Sequence, residues 1–118
     1  MSELVFRVLE AAVWRKVVSN SSFAGSEHDQ RDGFIHLSSG SQVAATLARH
    51  YSAQTDLCLL EINATALGDS LRWEASNGGE EFPHLYGPLA TAAVNTVYPL
   101  PLDDKGLHEL PSSLGESG

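Results

Sequence analysis

The sequence predicts an α+β domain built on a mixed or antiparallel sheet, and two observations carry that expectation. About six strand-like runs lie mostly late in the chain, two helical stripes lie early, and no alternating strand and helix repetition runs through it. At 118 residues, with 42% hydrophobic and 19% charged residues, the chain has the size and composition of one soluble domain with a single core.

Leu4 to Leu9 reads as a first, central strand, apolar and partly β-branched. From Glu10 to Ser19 the spacing of Ala11, Trp14 and Val18 gives a short helix. Asn20 to Asp32, rich in serine, glycine and charge around the lone aromatic Phe23, reads as a long loop of the kind that covers or binds. Asp32 to Ser39 is a short strand entered through Gly33. Ser39 and Gln42 stand at capping-box spacing, and Val43, Leu47 and Tyr51 form the stripe of a helix from about Gly40 to His50. The start of that helix directly follows His36, an arrangement that suits a bound phosphate or other anion. Asp56 to Ile62 is the strongest strand and should be central. Leu71 to Glu74 alternates, with Arg72 and Glu74 on one face, and turn chemistry at Asn77-Gly78-Gly79 predicts a hairpin with Phe82 to Tyr86 that brings Glu74 near His84. Ala92 to Leu100 closes the series. Residues 1–102 form the domain, and the polar stretch 103–118 is expected to fray.

Composition excludes several classes. A net charge of −8, from 15 acids and 7 bases, argues against a long nucleic-acid partner held through many phosphates. No apolar run is long enough for a membrane span, and the N-terminus has no signal-peptide pattern, so the cytoplasm is the expected location. The single cysteine, Cys58, lies in an apolar run and reads as an inert buried thiol. Neither a serine-hydrolase elbow nor a Rossmann or Walker glycine pattern is present.

Chemistry concentrates in Gly78 to Pro88, where two prolines and three glycines hold His84, Leu85 and Tyr86 between stiff and permissive points. The alternative for this stretch is an edge strand whose pairing Pro83 blunts. The candidate polar set is His36, Ser38, Glu74, His84 and Tyr86, with Arg31 and Asp32 from the loop; a carboxylate beside a histidine suits general acid/base work. Composition alone makes His36 a satisfied core histidine, Tyr86 a packed ring with its hydroxyl on backbone, and Glu74 equally a surface partner of Arg72 or Lys105. His28, Asp29, His36, His84 and His108 show poor metal-ligand spacing, so no metal is expected.

Asp32-Gly33-Phe34-Ile35-His36-Leu37-Ser38 with Gln42-Val43, then Leu59-Leu60-Glu61-Ile62, Leu71-Arg72-Trp73-Glu74, Gly78-Gly79 and Phe82-Pro83-His84-Leu85-Tyr86-Gly87-Pro88, resembles the domain-of-unknown-function family numbered 952. The resemblance runs from about Leu4 to Leu100. It implies an ADP-ribosyltransferase-like fold, a split, curved sheet with a few short helices and a cleft that grips NAD in relatives. His36-Leu37-Ser38 is also similar to the His-Leu-Ser segment of the RNA 2′-phosphotransferases on that fold. The resemblance implies that His36 and Ser38 orient a ribose or phosphate and that Tyr86 or Phe82 stacks on a base. Two departures stand out: the late glutamate of the best-known ADP-ribosyltransferases follows the aromatic motif residue, whereas Glu74 precedes Tyr86, and the arginine set that reads RNA is not evident.

Three functions are compatible with these residues. The first is an enzyme of the ADP-ribosyl or phosphoryl transfer type that uses NAD as substrate, with Glu74 and His84 catalytic and His36, Ser38, Arg31, Asp32, Phe82 and Tyr86 on the ligand. The second is a non-catalytic module for a nucleotide or acidic metabolite, and the third a protein-interaction domain whose Phe-Pro-His-Leu-Tyr loop docks a partner.

Overall fold

Where apolar residues alternate or run unbroken, the chain forms strands that leave as few backbone groups unpaired as possible. The computed structural model describes residues 3–75, 78–111 and 114, so the expected turn at Asn77 lies outside the described residues. In chain order the elements are β1 (Leu4–Glu10), α1 (Ala11–Asn20), β2 (Ser22–Phe23), α2 (Glu27–Asp32), β3 (Ile35–His36), α3 (Val43–His50), β4 (Leu57–Asn63), β5 (Leu71–Ala75), β6 (Glu81–Leu85), β7 (Leu89–Ala90) and β8 (Val94–Pro99). Short 3-10 turns occupy Gly40–Gln42, Ala64–Ser70 and Thr91–Ala93. The fold is α+β, with antiparallel pairing in each of its sheets.

One sheet has the order β1-β4-β8. β4 is its middle strand, as its apolar run predicts, whereas β1, expected to be central, is an outer strand that has β4 on one side and a single bridge, from Phe6 to Ser38, on the other. Because side chains alternate, β4 feeds two cores. Val5, Leu9, Cys58, Leu60 and Ile62 face the first with Ile35, Leu37 and Leu85; Phe6, Val8, Leu57 and Leu59 face the second, closed by Val43 and Leu47 of α3. Cys58 is buried as expected, and burial pushes its thiol pKa up.

A second sheet has the order β3-β6-β5, which makes β6 its middle strand and not an edge. Pro83 therefore sits, fully buried, in a central strand, where a residue without an N–H must cost a ladder bond. Leu37 N–H donates to Pro83 O at 3.0 Å, and the return bond on that side has no donor. Pairing between β3 and β6 stops there. The next residue, Ser38, turns to exchange both backbone bonds with Phe6 of β1, at 2.7 and 2.9 Å. The two sheets are thus joined through one bridge, and the split falls where proline removes the donor.

Several expectations need correction. The apolar face of α1 is Val13, Trp14 and Val17, while Val18 is 53% exposed, because 100° per residue places Val13 and Val17 on one side. The expected loop at Asn20 to Asp32 contains β2, which pairs with β7, and the helix α2. Ser26 and Asp29 form a capping box at its start, a signal visible as Ser-x-x-Asp that the density of charge obscured. Apart from these corrections, among the described residues beyond β8 Leu102 bridges His108, His108 Nε2 lies 2.8 Å from Gln54 O, and Leu114 is buried in the second core. Among the described residues no helix is long and apolar enough to cross a membrane.

Gly25 shows how tightly this region is built. Its φ of +105° is unfavourable for an L side chain, and a Cβ would stand 2.9 Å from Asp29 Cβ. Gly25→Ala is expected to destabilise the fold by about 2 kcal/mol or more in a denaturant titration. Gly78→Ala, where nothing lies within 4 Å, should change stability by less than about 0.5 kcal/mol.

Candidate functional site

Asp29 is 2% exposed, and a buried carboxylate must be paired and hydrogen-bonded or it will be neutralised. Its Oδ1 accepts from Arg7 Nη1 at 3.0 Å, His36 N at 3.1 Å and His36 Nδ1 at 2.6 Å. Its Oδ2 accepts from Ser26 N at 2.7 Å and meets Arg7 Nη2 at 3.0 Å. Arg7, itself buried on β1, also donates to His36 O at 2.9 Å and lies over the Phe23 ring. Burial alone would raise the Asp29 carboxyl, but the bonds from His36 and Arg7, the arginine charge and the Ser26 N–H outweigh it and hold the group well below the usual carboxylate range.

His36 is consequently fixed in rotation, with Nδ1 on Asp29 and Nε2 2.9 Å from Asp32 Oδ2. It is not a sealed core histidine, since 31% of its side chain is exposed. The Asp29 bond raises its pKa against the opposing effect of burial, and Asp32 adds to the rise.

His36 faces His84 directly in the β3–β6 register, and Arg72 of β5 stands on the other side of His84. The two-residue period then puts Phe34, His36, Phe82, His84, Tyr86, Arg72 and Glu74 on one side of this sheet, opposite the core-facing Ile35 and Leu85. The hairpin brings Glu74 to His84 as its pattern predicts: His84 Nδ1 lies 2.8 Å from Glu74 Oε1, and Tyr86 Oη donates to the same oxygen at 2.7 Å. Those bonds, Tyr86 first and then His84, lower the Glu74 pKa, and the Tyr86 hydroxyl is raised in return. Tyr86 is thus a 41% exposed ring with its hydroxyl on a carboxylate, not a packed ring bonded to backbone. Phe34 lies between the two carboxylate–histidine pairs, its ring 4.7 Å from His36, 3.9 Å from His84 and 5.4 Å from Tyr86.

A cavity of about 490 Å³ opens beside the first pair. His36, Ser38 and Phe82 line it, whereas Arg31, Asp32, Tyr86, Glu74 and His84 do not. The chain also contributes residues that the motifs do not single out: the buried Asp29 and Arg7, the exposed Arg49, His28 and His50, and Thr46, whose hydroxyl pairs with Ser38 at 3.1 Å. Gln42, at the start of the helix after His36, donates to Glu80 Oε2 at 2.9 Å and Glu81 O at 2.8 Å, which ties the rim of the cavity to β6. Phe34 was legible only as a member of a strand and Asp29 only as a loop residue among poorly spaced metal-ligand candidates, because His84 and Arg7, their respective partners across the fold, are distant in sequence. Ligand atoms of His28, Asp32 and His36, a grouping the linear spacing does not bring out, lie within 4.8 Å of one another. His28 and Asp32 are one turn apart on α2, a periodicity hidden while the segment reads as a loop.

The fold and this side-chain arrangement define a small α+β protein with a polar, histidine-lined cleft at the junction of two split sheets. Residues 8–97 match the family described as Protein of unknown function (DUF952), and the chain belongs to that family. It is similar to protein CC0527 from Caulobacter crescentus: the crystal structure is 42% identical, with a TM-score of 0.88, over 95% of this chain and 98% of that one. The solution NMR structure of CC0527 is 43% identical, with a TM-score of 0.83, over 91% and 92%. No curated protein matches this chain.

The Asp29–His36 pair makes stability depend on pH in a defined sense. Asp29, lowered in the fold, contributes stability above its unfolded value of about 3.9 that is lost as pH falls through the folded value. His36, raised in the fold, contributes stability below its unfolded value of about 6.5 that is lost as pH rises through its folded value. Thermal unfolding should therefore show its highest midpoint near pH 5 to 6, and His36→Gln should flatten the decline on the alkaline side.

Tyr86 offers a separate readout. Phenolate absorbance during an alkaline titration should show one tyrosine ionising late, and Glu74→Gln should move that transition to lower pH.

Proposed function

We propose that this protein binds a nucleotide-type ligand, NAD first among them, in the cavity beside His36 and acts on its ribosyl bond. The observation that carries this reading is His36 held on the cavity wall by a buried carboxylate, an imidazole whose orientation is set before any ligand arrives. Several features support it. The cavity falls in the size range of small-molecule sites and combines aromatic Phe6, Tyr51 and Phe82 with the hydroxyls of Ser38, Ser41 and Thr46 and the cation of Arg49. Aromatic faces suit a base, hydroxyls a ribose, and the cation a phosphate.

The resemblance to ADP-ribosyltransferase-like folds points the same way, and a sheet split beside a cleft is compatible with it. In such a reaction the bond between the ribose anomeric carbon and nicotinamide breaks with its electron pair leaving on nicotinamide, while a hydroxyl of the acceptor or water adds to that carbon and gives up its proton. Glu74, kept anionic by Tyr86 and His84, supplies the carboxylate that steadies the developing cation or takes that proton.

A second reading is favoured by one particular: Glu74, His84 and Tyr86 lie outside the cavity lining, although the His36 and His84 rings are only 5.8 Å apart. A cleft that holds the ligand without turning it over accommodates that separation.

Isothermal titration of the protein with NAD, paired with an assay for released nicotinamide, tests both. Binding that His36→Ala weakens at least tenfold, with nicotinamide release abolished by Glu74→Gln, is the expected result. Binding without release selects the second reading, and the absence of heat at about 1 mM NAD, an affinity worth about 4 kcal/mol, overturns the nucleotide assignment.

A further inference from the structure

We infer that His28, Asp32 and His36 form a binding site for a divalent transition-metal ion at the mouth of the cavity, which none of the sequence motifs assigns. Two imidazoles and one carboxylate are the donor set that suits zinc and its neighbours, whereas magnesium and calcium prefer oxygen alone. Geometry supports the assignment. Ligands about 2.0–2.1 Å from a tetrahedral ion stand about 3.3 Å from one another. Asp32 Oδ2 lies 2.9 Å from His36 Nε2 and 3.6 Å from His28 Nε2, so the two spacings bracket that value. The largest separation within the set is under 4.8 Å, and closing it requires only a rotation of His28, whose side chain is 63% exposed.

The surroundings of His36 supply the second, independent feature. Histidines that ligate metals are generally held through their other nitrogen by a carboxylate, which fixes the tautomer and aims the free lone pair. Asp29 does this here: it takes Nδ1–H at 2.6 Å, is 2% exposed, and is neutralised by Arg7, so Nε2 is left as the outward-facing donor. A bound ion would occupy the place of the proton that Nε2 shares with Asp32. Three protein ligands leave a coordination position open to water or ligand. Because His28 and His36 both line the cavity, that open position would adjoin the same space as the proposed nucleotide.

One contact opposes binding and sharpens the test. Arg31 Nη2 lies 3.2 Å from His28 Nδ1 and donates to it, which favours a proton on the wrong nitrogen for ligation through Nε2. Ligation displaces that exposed arginine, so removing it should help.

The experiment is a titration of the tag-free full chain with cobalt(II) alone, followed by visible d–d absorption, and with zinc(II) alone by calorimetry, in the absence of any nucleotide. The expected result is one ion per chain, with His28→Ala and Asp32→Asn each weakening affinity at least tenfold, Asp29→Asn weakening it about 10–100-fold, and Arg31→Ala tightening it. Because Asp29→Asn can unfold the chain, the exposed His28→Ala decides the matter by itself. Absence of binding at about 1 mM metal, or binding unchanged in His28→Ala, overturns the site. Since no nucleotide is present, either outcome leaves the nucleotide reading to its own titration.

Discussion

Asp29 is the constraint around which this end of the molecule is arranged. A carboxylate removed from water must find enough donors to repay its desolvation, and five groups from three parts of the chain converge on it: both guanidinium nitrogens of Arg7 on β1, the backbone of Ser26, and the backbone and ring of His36 on β3. Those bonds connect the sheet that carries the core to the sheet that carries the polar face. They also require Gly25 to pass within contact distance, which leaves no room for a side chain.

The rest of the cleft follows from where Asp29 puts His36. Pro83 ends the β3–β6 ladder one residue later, the chain crosses to β1 at Ser38, and the space between the separated sheets becomes the cavity. On the side of β6 facing His36, a second carboxylate–histidine pair is built differently. Glu74 is surface-exposed and held by a histidine and a tyrosine, so its anionic form is favoured by hydrogen bonds without a buried counter-charge. Two such pairs, one buried and oriented and one open to solvent, give adjacent groups with different proton affinities, the usual requirement for acid and base to act at one site.

The sequence showed much of this arrangement. β1 and β4 were legible from apolar runs, and the β5–β6 hairpin from alternation and turn chemistry, which is why the contact between Glu74 and His84 could be anticipated. The family motif also selected His36, Ser38 and Phe82, which line the cavity. Of Asp29 only the local capping-box pairing with Ser26 was open to a sequence reading; its other partners, Arg7 and His36, are 22 residues before it and seven after it, and no local pattern connects them. Nor was α2, whose six residues, Glu-His-Asp-Gln-Arg-Asp, contain no apolar stripe and are fixed by the capping box and by Asp29 itself. The position of Pro83 ran against propensity, since a proline in a middle strand is tolerated only where pairing is meant to stop.

The most direct test of this account is the state of the His36 ring, read by two-dimensional proton–nitrogen NMR of the imidazole at a pH above its titration. The account requires the neutral ring to carry its proton on Nδ1, with a downfield, slowly exchanging resonance that disappears in Asp29→Asn while the fold is retained. A neutral His36 protonated on Nε2, or an Nδ1 proton that exchanges freely in the native protein, would contradict the claim that the buried carboxylate organises the site.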